Sequence, residues 1–141
     1  MTRHPTSEEM PISMVAYAIR KARLANEMVI SVVVPLLPPL RRGIAEDIGR
    51  RLDGNHFISE AFLRDLTALI DFLAREIAHG TQCAWVADEH DVSGGHDVMH
   101  RDDRALALSK ASIDLVYLHN AIADVLDFEK AERIAGAVIR E

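Results

Sequence analysis

Three of the chain's seven histidines fall within eleven residues, HDVSGGHDVMH at positions 90–100. They are His90, His96 and His100, and acidic residues flank them across positions 88–103. Imidazole and carboxylate groups are ligands that zinc, manganese and iron accept. Because His96 and His100 are four residues apart, both rings would project from one face if a helix began here. The spacing indicates a candidate metal site, while a solvated loop around the glycine pair explains the same residues without a metal.

Two His-Asp dipeptides, at 90–91 and 96–97, resemble the paired metal ligands of the HD-domain phosphohydrolases, which are helical metal enzymes. The resemblance implies His56 as an upstream ligand and Asp114 or Asp124 as the last one. His56 departs from the family pattern, because it lies on the polar face of its predicted helix. The resemblance therefore implies one specific metal-dependent enzyme, a phosphohydrolase.

Histidine and carboxylate pairs also resemble those of two di-iron protein families. The hemerythrin-like bundles share three pairs: His56 with Glu60, His96 with His100, and His119 with Asp124. The first ligand of that family is absent, since only His4 precedes His56. Glu76-x-x-His79 is the spacing of ferritin-like proteins, but their site needs two copies of it. A single copy implies that only a dimer would complete such a site.

Other catalytic chemistries lack a complete set of residues. A reactive thiol needs a lowered pKa and a positioned base, whereas Cys83 is followed by acidic residues. The sequence contains no glycine-rich phosphate-binding motif with its lysine. We therefore predict no catalytic residues, and the sequence favours a protein that is not an enzyme.

The composition is that of a single globular domain. The 141 residues are 49% hydrophobic and 27% charged, and the single cysteine excludes an internal disulfide. The apolar stretch at 28–40 is shorter than the roughly 20 residues that span a membrane, and residues 1–10 form a polar leader without the apolar region of a signal peptide. The predicted organisation is this leader followed by a helical bundle domain over 11–141, in the cytoplasm and with no membrane partner.

The net charge of −6 is unevenly distributed along the chain. Residues 1–54 contain eight Lys and Arg against six Asp and Glu, whereas residues 81–104 contain two against six. The arginine pairs at 41–42 and 50–51 are too few for the basic stripe that nucleic acid binding requires. We therefore predict no nucleic acid partner, and a short basic face that suits an acidic protein.

Apolar residues recur at helical spacing along nearly the whole chain. The pattern predicts helices over 11–34, 38–52, 57–79 and 104–127, with a further turn or short helix to 139. Asn55 is the predicted cap of the third helix, and Gly80 is the predicted left-handed residue after it. Residues 80–101 have no period and are predicted to form a long polar loop. The predicted fold class is all-α, a single-domain bundle of four to five helices interrupted by this loop.

The helices predicted over 11–34 and 104–127 are apolar on more of their circumference than one neighbouring helix covers. A contiguous apolar patch usually marks an interface, and symmetric pairing is the commonest way to cover one. We therefore expect a small helical protein that acts through protein–protein contacts, as a homodimer, adaptor or regulator, without a cofactor. The alternative is a metal-dependent enzyme or metal sensor that binds zinc, manganese or iron through the loop at 88–103.

Overall fold

The structure is a computed structural model that describes residues 9–140, with the side chains of residues 13–136. Its elements are, in chain order, α1 (Glu9–Met28), a π-helical stretch (Val29–Val33), α2 (Val34–Leu36), a 3-10 turn (Pro39–Arg41), α3 (Arg42–Asp53), α4 (Glu60–His79), β1 (Thr81–Ala87), β2 (Gly95–Arg101) and α5 (Asp103–Arg140). Residues 1–8, most of the predicted leader, lie outside the described residues. Helix dominates, as predicted, and none of the described helices is long and apolar enough to cross a membrane.

The hydrophobic core forms where α1 and α4 pack against α5. The buried side chains of α1 are alanines at helical spacing, whereas those of the other two helices are mainly larger. They are Ala18, Ala22 and Ala25 in α1; Phe62, Leu66, Leu69 and Leu73 in α4; and Leu108, Ala111, Leu115, Leu118, Ala121, Ile122 and Val125 in α5. Removal of these apolar stripes from water is the main driving force for this fold.

The first helix continues two residues past its predicted end at position 34. Val34 N–H donates to the carbonyl of Val29, five residues earlier, so the backbone is π-helical there. Pro35 has no N–H to donate, and the hydroxyl of Ser31 donates to the carbonyl four residues before it, so the usual ladder is interrupted. This β-branched segment is nevertheless helical, as predicted, because its valines pack in the core.

Both ends of α4 differ from the predicted caps. Ser59, not Asn55, caps the start, because its hydroxyl accepts the N–H of Phe62 at 3.1 Å. Asn55 has a φ of 59° and instead turns the chain after α3. Gly80 ends α4 with a φ of −95°, so it is not left-handed. Glycine is needed there for space, because a Cβ would lie 2.7 Å from the Cβ of Ala105.

Residues 80–101 are not the predicted loop, because they contain an antiparallel β-hairpin. Thr81 lies opposite Arg101 at its base, and Ala87 lies opposite Gly95 near its turn. The loop assignment is wrong because these strands show no alternation of apolar and polar residues. That alternation arises where one face of a strand is buried and the other faces water, and here both faces are exposed.

α5 is one continuous helix of 38 residues, and not a helix to 127 followed by a separate turn. Asp102 caps its start, since its carboxylate accepts the N–H of Ala105 at 2.7 Å. The N–H of Asp102 also donates to the carbonyl of Gly80 at 2.9 Å. One residue thus joins the base of the hairpin to the start of α5.

Candidate functional site

The β-hairpin between α4 and α5 exposes both of its faces. Gly95 is buried and Thr81 is half-buried, and the other strand residues are exposed. Within the described chain, no residue of the hairpin belongs to the hydrophobic core. An isolated two-stranded hairpin is at best marginally stable in water. Its exposed faces are therefore the first candidate for an interaction site.

Alternation along the strands assigns the hairpin side chains to two faces. One face, called here the Trp85 face, consists of Thr81, Cys83, Trp85, Ala87, Gly95, Asp97, Met99 and Arg101; the opposite face contains Gln82, Ala84, Val86, His96, Val98 and His100. On the Trp85 face, Trp85 and Met99 are 59% and 62% exposed. This face therefore combines two large exposed apolar side chains with one charge of each sign.

An open groove of about 720 Å³ lies at the base of the hairpin, between α4 and α5. Its lining comes from the hairpin and from both helices: Thr81 and Arg101; Ala74, Ile77 and Ala78; and Ser109, Ser112, Ile113, Val116 and Tyr117. Arg101 is held there by a 2.8 Å hydrogen bond from Nη1 to the hydroxyl of Ser109. Because Thr81 and Arg101 belong to the Trp85 face, that face and the groove form one continuous surface.

α5 exposes further apolar side chains along this surface. Ile113 and Tyr117 are each about half exposed. On neighbouring α1, Lys21 Nζ lies 5.3 Å from the ring centre of Tyr17 and 5.2 Å from that of Tyr117. An ammonium group at this distance attracts the faces of both rings. An apolar strip with a positive charge at its edge therefore extends from the hairpin base to α1.

The turn of the hairpin is held by its own acidic side chains. Asp88 Oδ1 accepts the N–H of His90 at 3.0 Å, and Asp91 Oδ1 accepts the N–H of Ser93 at 3.2 Å. Gly94 has a φ of 84°, which favours glycine at that position. Carboxylates that bond the backbone two residues later are typical of tight turns. These acidic residues therefore order the turn by accepting backbone hydrogen bonds.

The structure separates His100 from the other two predicted metal ligands. His90 lies in the turn, and His96 and His100 lie on β2 and not at the start of a helix. Four residues of a strand span about 13 Å, whereas two ligands of one ion lie roughly 3 to 4 Å apart. The nearest pair is His96 Nδ1 and Asp91 Oδ2, at 3.6 Å. Within residues 9–140, no group of three potential ligands surrounds one point.

The ligand sets of the metal-enzyme resemblances are not brought together either. His56 and Glu60 lie at the start of α4, whereas both His-Asp dipeptides lie beyond its end. α4 has 20 residues and is therefore about 30 Å long. His119 and Glu60, which both belong to the hemerythrin-like set, line one groove, but His96 and His100 of that set lie on β2, beyond the other end of α4. Glu76, from the ferritin-like spacing, is ion-paired with Arg104 at 2.9 Å.

Trp85 and Met99 are absent from the predicted site residues. Reasoning from periodicity missed them because their strands add no side chain to the core of the described residues. One signal was present, since the only tryptophan of the chain lies in the segment without helical period. Tryptophan and methionine are enriched at protein interfaces. Their position outside any predicted core stripe was therefore an indication of an interface.

The chain matches no protein-family model, and no curated protein or solved structure shows significant similarity to it.

Proposed function

We propose that this protein acts through protein–protein contacts and forms a homodimer through its hairpin. The observation that carries the proposal is the exposure of Trp85 and Met99 on a hairpin that adds no residue to the described core. A contiguous exposed apolar patch usually marks an interaction site in a soluble protein. The groove between α4 and α5 extends the same surface.

The position of the hairpin supports an interaction role. The hydrogen bond between Asp102 N–H and the Gly80 carbonyl brings the end of α4 close to the start of α5. Helices that are this close are usually joined by two to eight residues. The chain instead inserts residues 81–101 between them, and none of these is required by the core. A role outside the chain explains the insertion.

A second copy of the chain is the partner that we propose. A two-fold axis brings the same patch of both copies together, and such a patch must be complementary to itself. The Trp85 face meets this condition, because it contains both Asp97 and Arg101 beside its apolar residues. A surface with one sign of charge would oppose its own copy.

The double substitution Trp85→Ser/Met99→Ser is expected to weaken dimerisation by about tenfold or more, because the Trp85 face loses both of its large exposed apolar side chains. The wild-type protein is expected to sediment at about twice the monomer mass of 15.7 kDa at micromolar concentration. The helical circular dichroism of the variant should equal that of the wild type, since the core contains neither side chain.

Leu40→Ser is the matched control. Leu40 is 98% exposed but lies outside the hairpin, so its substitution is expected to leave the dimer dissociation constant unchanged. A wild-type protein that remains monomeric at high micromolar concentration would contradict the homodimer. Equal weakening by both variants would contradict the location of the interface on the hairpin.

A second candidate is a site for zinc, manganese or iron in the turn of the hairpin. The observation that favours it is the 3.6 Å distance between His96 Nδ1 and Asp91 Oδ2, with His90 in the same turn. Imidazole and carboxylate together suit these three metals. Such a site gives the protein a metal-binding or metal-sensing role. A metal bound in the turn is compatible with dimerisation through the hairpin.

His96→Ala is expected to abolish stoichiometric metal binding, measured by titration calorimetry with zinc and by elemental analysis. His100→Ala is expected to retain it, because His100 lies about 13 Å further along the same strand. Bound metal should also raise the melting temperature of the wild type by mass action. A wild type that binds no metal, or equal loss in both variants, would contradict a site in the turn.

A further inference from the structure

Each strand of the hairpin has one edge that no strand of the described chain covers. The Asp102 N–H donates to the carbonyl of Gly80 at 2.9 Å, which continues the ladder of the hairpin. Hydrogen-bonded pairs alternate along an antiparallel ladder, so the even-numbered residues of β2 bond to β1. The N–H and C=O groups of Asp97, Met99 and Arg101 therefore point away from β1, toward the free edge.

We propose that β2 pairs antiparallel with β2 of a second copy, about a two-fold axis at Met99, to form a four-stranded sheet. This inference rests on the proposed homodimer and adds its edge and its register. Asp97 then lies opposite Arg101 of the second copy, and symmetry repeats the pair. Opposite charges that face each other across strands stabilise the pairing, and like charges oppose it.

Charge selects this register among those that the backbone allows. Only the odd-numbered residues of β2 have free N–H and C=O groups, so odd-numbered residues of the two copies must lie opposite each other, and the two-fold axis must pass through a residue. An axis at Asp97 places the two copies of this carboxylate opposite each other. An axis at Val98 places Asp97 opposite Met99, and an axis at His100 places it opposite Asp103. Among these, the axis at Met99 alone gives Asp97 an arginine.

The same pairing brings the Met99 side chains of the two copies together at the axis, whereas Trp85 lies on the outer strand of each copy. A two-fold axis perpendicular to the sheet keeps the Trp85 faces of both copies on one side, so Cys83, Trp85 and Met99 of the two copies form one apolar patch. Three or more strands are needed for a sheet to be independently stable, and an uncovered edge is a template for another strand. β1 has no charged residue. If the edge of β1 paired with another copy, no ion pair between strands would favour one register over another.

A charge exchange measured by sedimentation equilibrium tests the register. Asp97→Arg and Arg101→Asp each place like charges opposite, and each is expected to raise the dimer dissociation constant about tenfold or more. The double variant Asp97→Arg/Arg101→Asp restores opposite charges and is expected to return within about threefold of the wild type. Within one chain these side chains lie about 13 Å apart along β2, so the rescue arises only between copies.

Asp71→Arg and Arg75→Asp make the same charge changes at exposed positions of α4, and they are expected to leave the dissociation constant unchanged. A wild-type dimer whose double variant is not rescued would overturn the register and leave the homodimer standing. A wild-type protein that is monomeric would overturn both. The two failures are therefore distinguishable.

A disulfide crosslink between the two copies gives a second test of the register. The variant for this test is Met99→Cys in a Cys83→Ser background. At the axis, the two Cα atoms of a hydrogen-bonded pair lie about 5.5 Å apart, a distance that a disulfide spans. Oxidised glutathione is expected to join the two thiols covalently and to be reduced in the process. Val86→Cys in the same background, on β1, is expected to remain a monomer on a denaturing gel. Equal crosslinking of both variants, or of neither, would overturn the register.

Discussion

Replacement of Phe62 by alanine is expected to lower the free energy of unfolding by about 3 to 5 kcal/mol. The Phe62 side chain is fully buried, and its ring centre lies 6.3 Å from that of Phe57 in an edge-to-face arrangement. The substitution removes both the buried apolar surface and this ring contact, and it leaves a cavity where α4 packs. Urea denaturation followed by helical circular dichroism measures the loss.

A charged group adds to the cost of losing this ring. The guanidinium of Arg51 lies 4.9 Å from the ring centre of Phe62 and is ion-paired with Asp65 and Asp47. The hydrogen bond from Arg51 to Asp65, more than any other contact, raises the pKa of Arg51 above its ordinary value. Arginine is charged throughout the working pH range, so Arg51 attracts the face of the Phe62 ring at every such pH.

Phe72→Ala is the matched control on the same helix. Phe72 is only half-buried, although it also lies near an arginine, with the guanidinium carbon of Arg41 5.9 Å from its ring centre. The expected loss is about 1 to 2 kcal/mol, because less apolar surface returns to water. Equal losses for the two phenylalanines would contradict the assignment of Phe62 to the core.

Gly80→Ala is expected to lower the free energy of unfolding by about 2 to 4 kcal/mol, through overpacking and the loss of a helix cap. The added Cβ would lie 2.7 Å from the Cβ of Ala105 and 2.8 Å from both carboxylate oxygens of Asp102. Displacement of Asp102 removes the acceptor of the Ala105 N–H at the start of α5. Thermal and urea denaturation measure the effect.

Gly136→Ala is the control for this substitution. Gly136 lies inside α5, and an added Cβ would meet nothing within 4 Å. Alanine is expected to stabilise the protein there by about 0.5 to 1 kcal/mol, because it lowers the entropy of the unfolded chain. A Gly80→Ala protein as stable as the wild type would contradict the close packing at the base of the hairpin. Dimerisation of Gly80→Ala is also expected to weaken, since that base must shift.

The helices could be predicted from the amino-acid sequence because each buries one stripe of side chains. The stripe of α4 was visible at 57–79, and the structure places the helix at Glu60–His79. The β-branched stretch at 29–33 was also correctly predicted to be helical, although its π-helical geometry was not. Periodicity reports which face is buried, and each helix here has one such face. It does not report caps, so Ser59 and the role of Gly80 were missed.

The candidate metal site depended on an assumption about local structure. Four-residue spacing brings His96 and His100 together on a helix and separates them by about 13 Å on a strand. The sequence contains the spacing but not the choice between these two geometries. The structure makes that choice, and it leaves Asp91 and His96 as the nearest pair in the turn.

The hairpin was decided by the tertiary structure alone. Its strands are exposed on both faces, so neither face requires apolar residues. The alternation of apolar and polar residues that identifies a strand in a sequence is therefore missing. Its ends are positioned by the packing of α4 against α5 and by the contact of Gly80 with Asp102 and Ala105. These contacts join residues more than 20 positions apart, which no local pattern encodes. The local pattern therefore determined the helices, and long-range packing determined where the apolar surface of the hairpin is displayed.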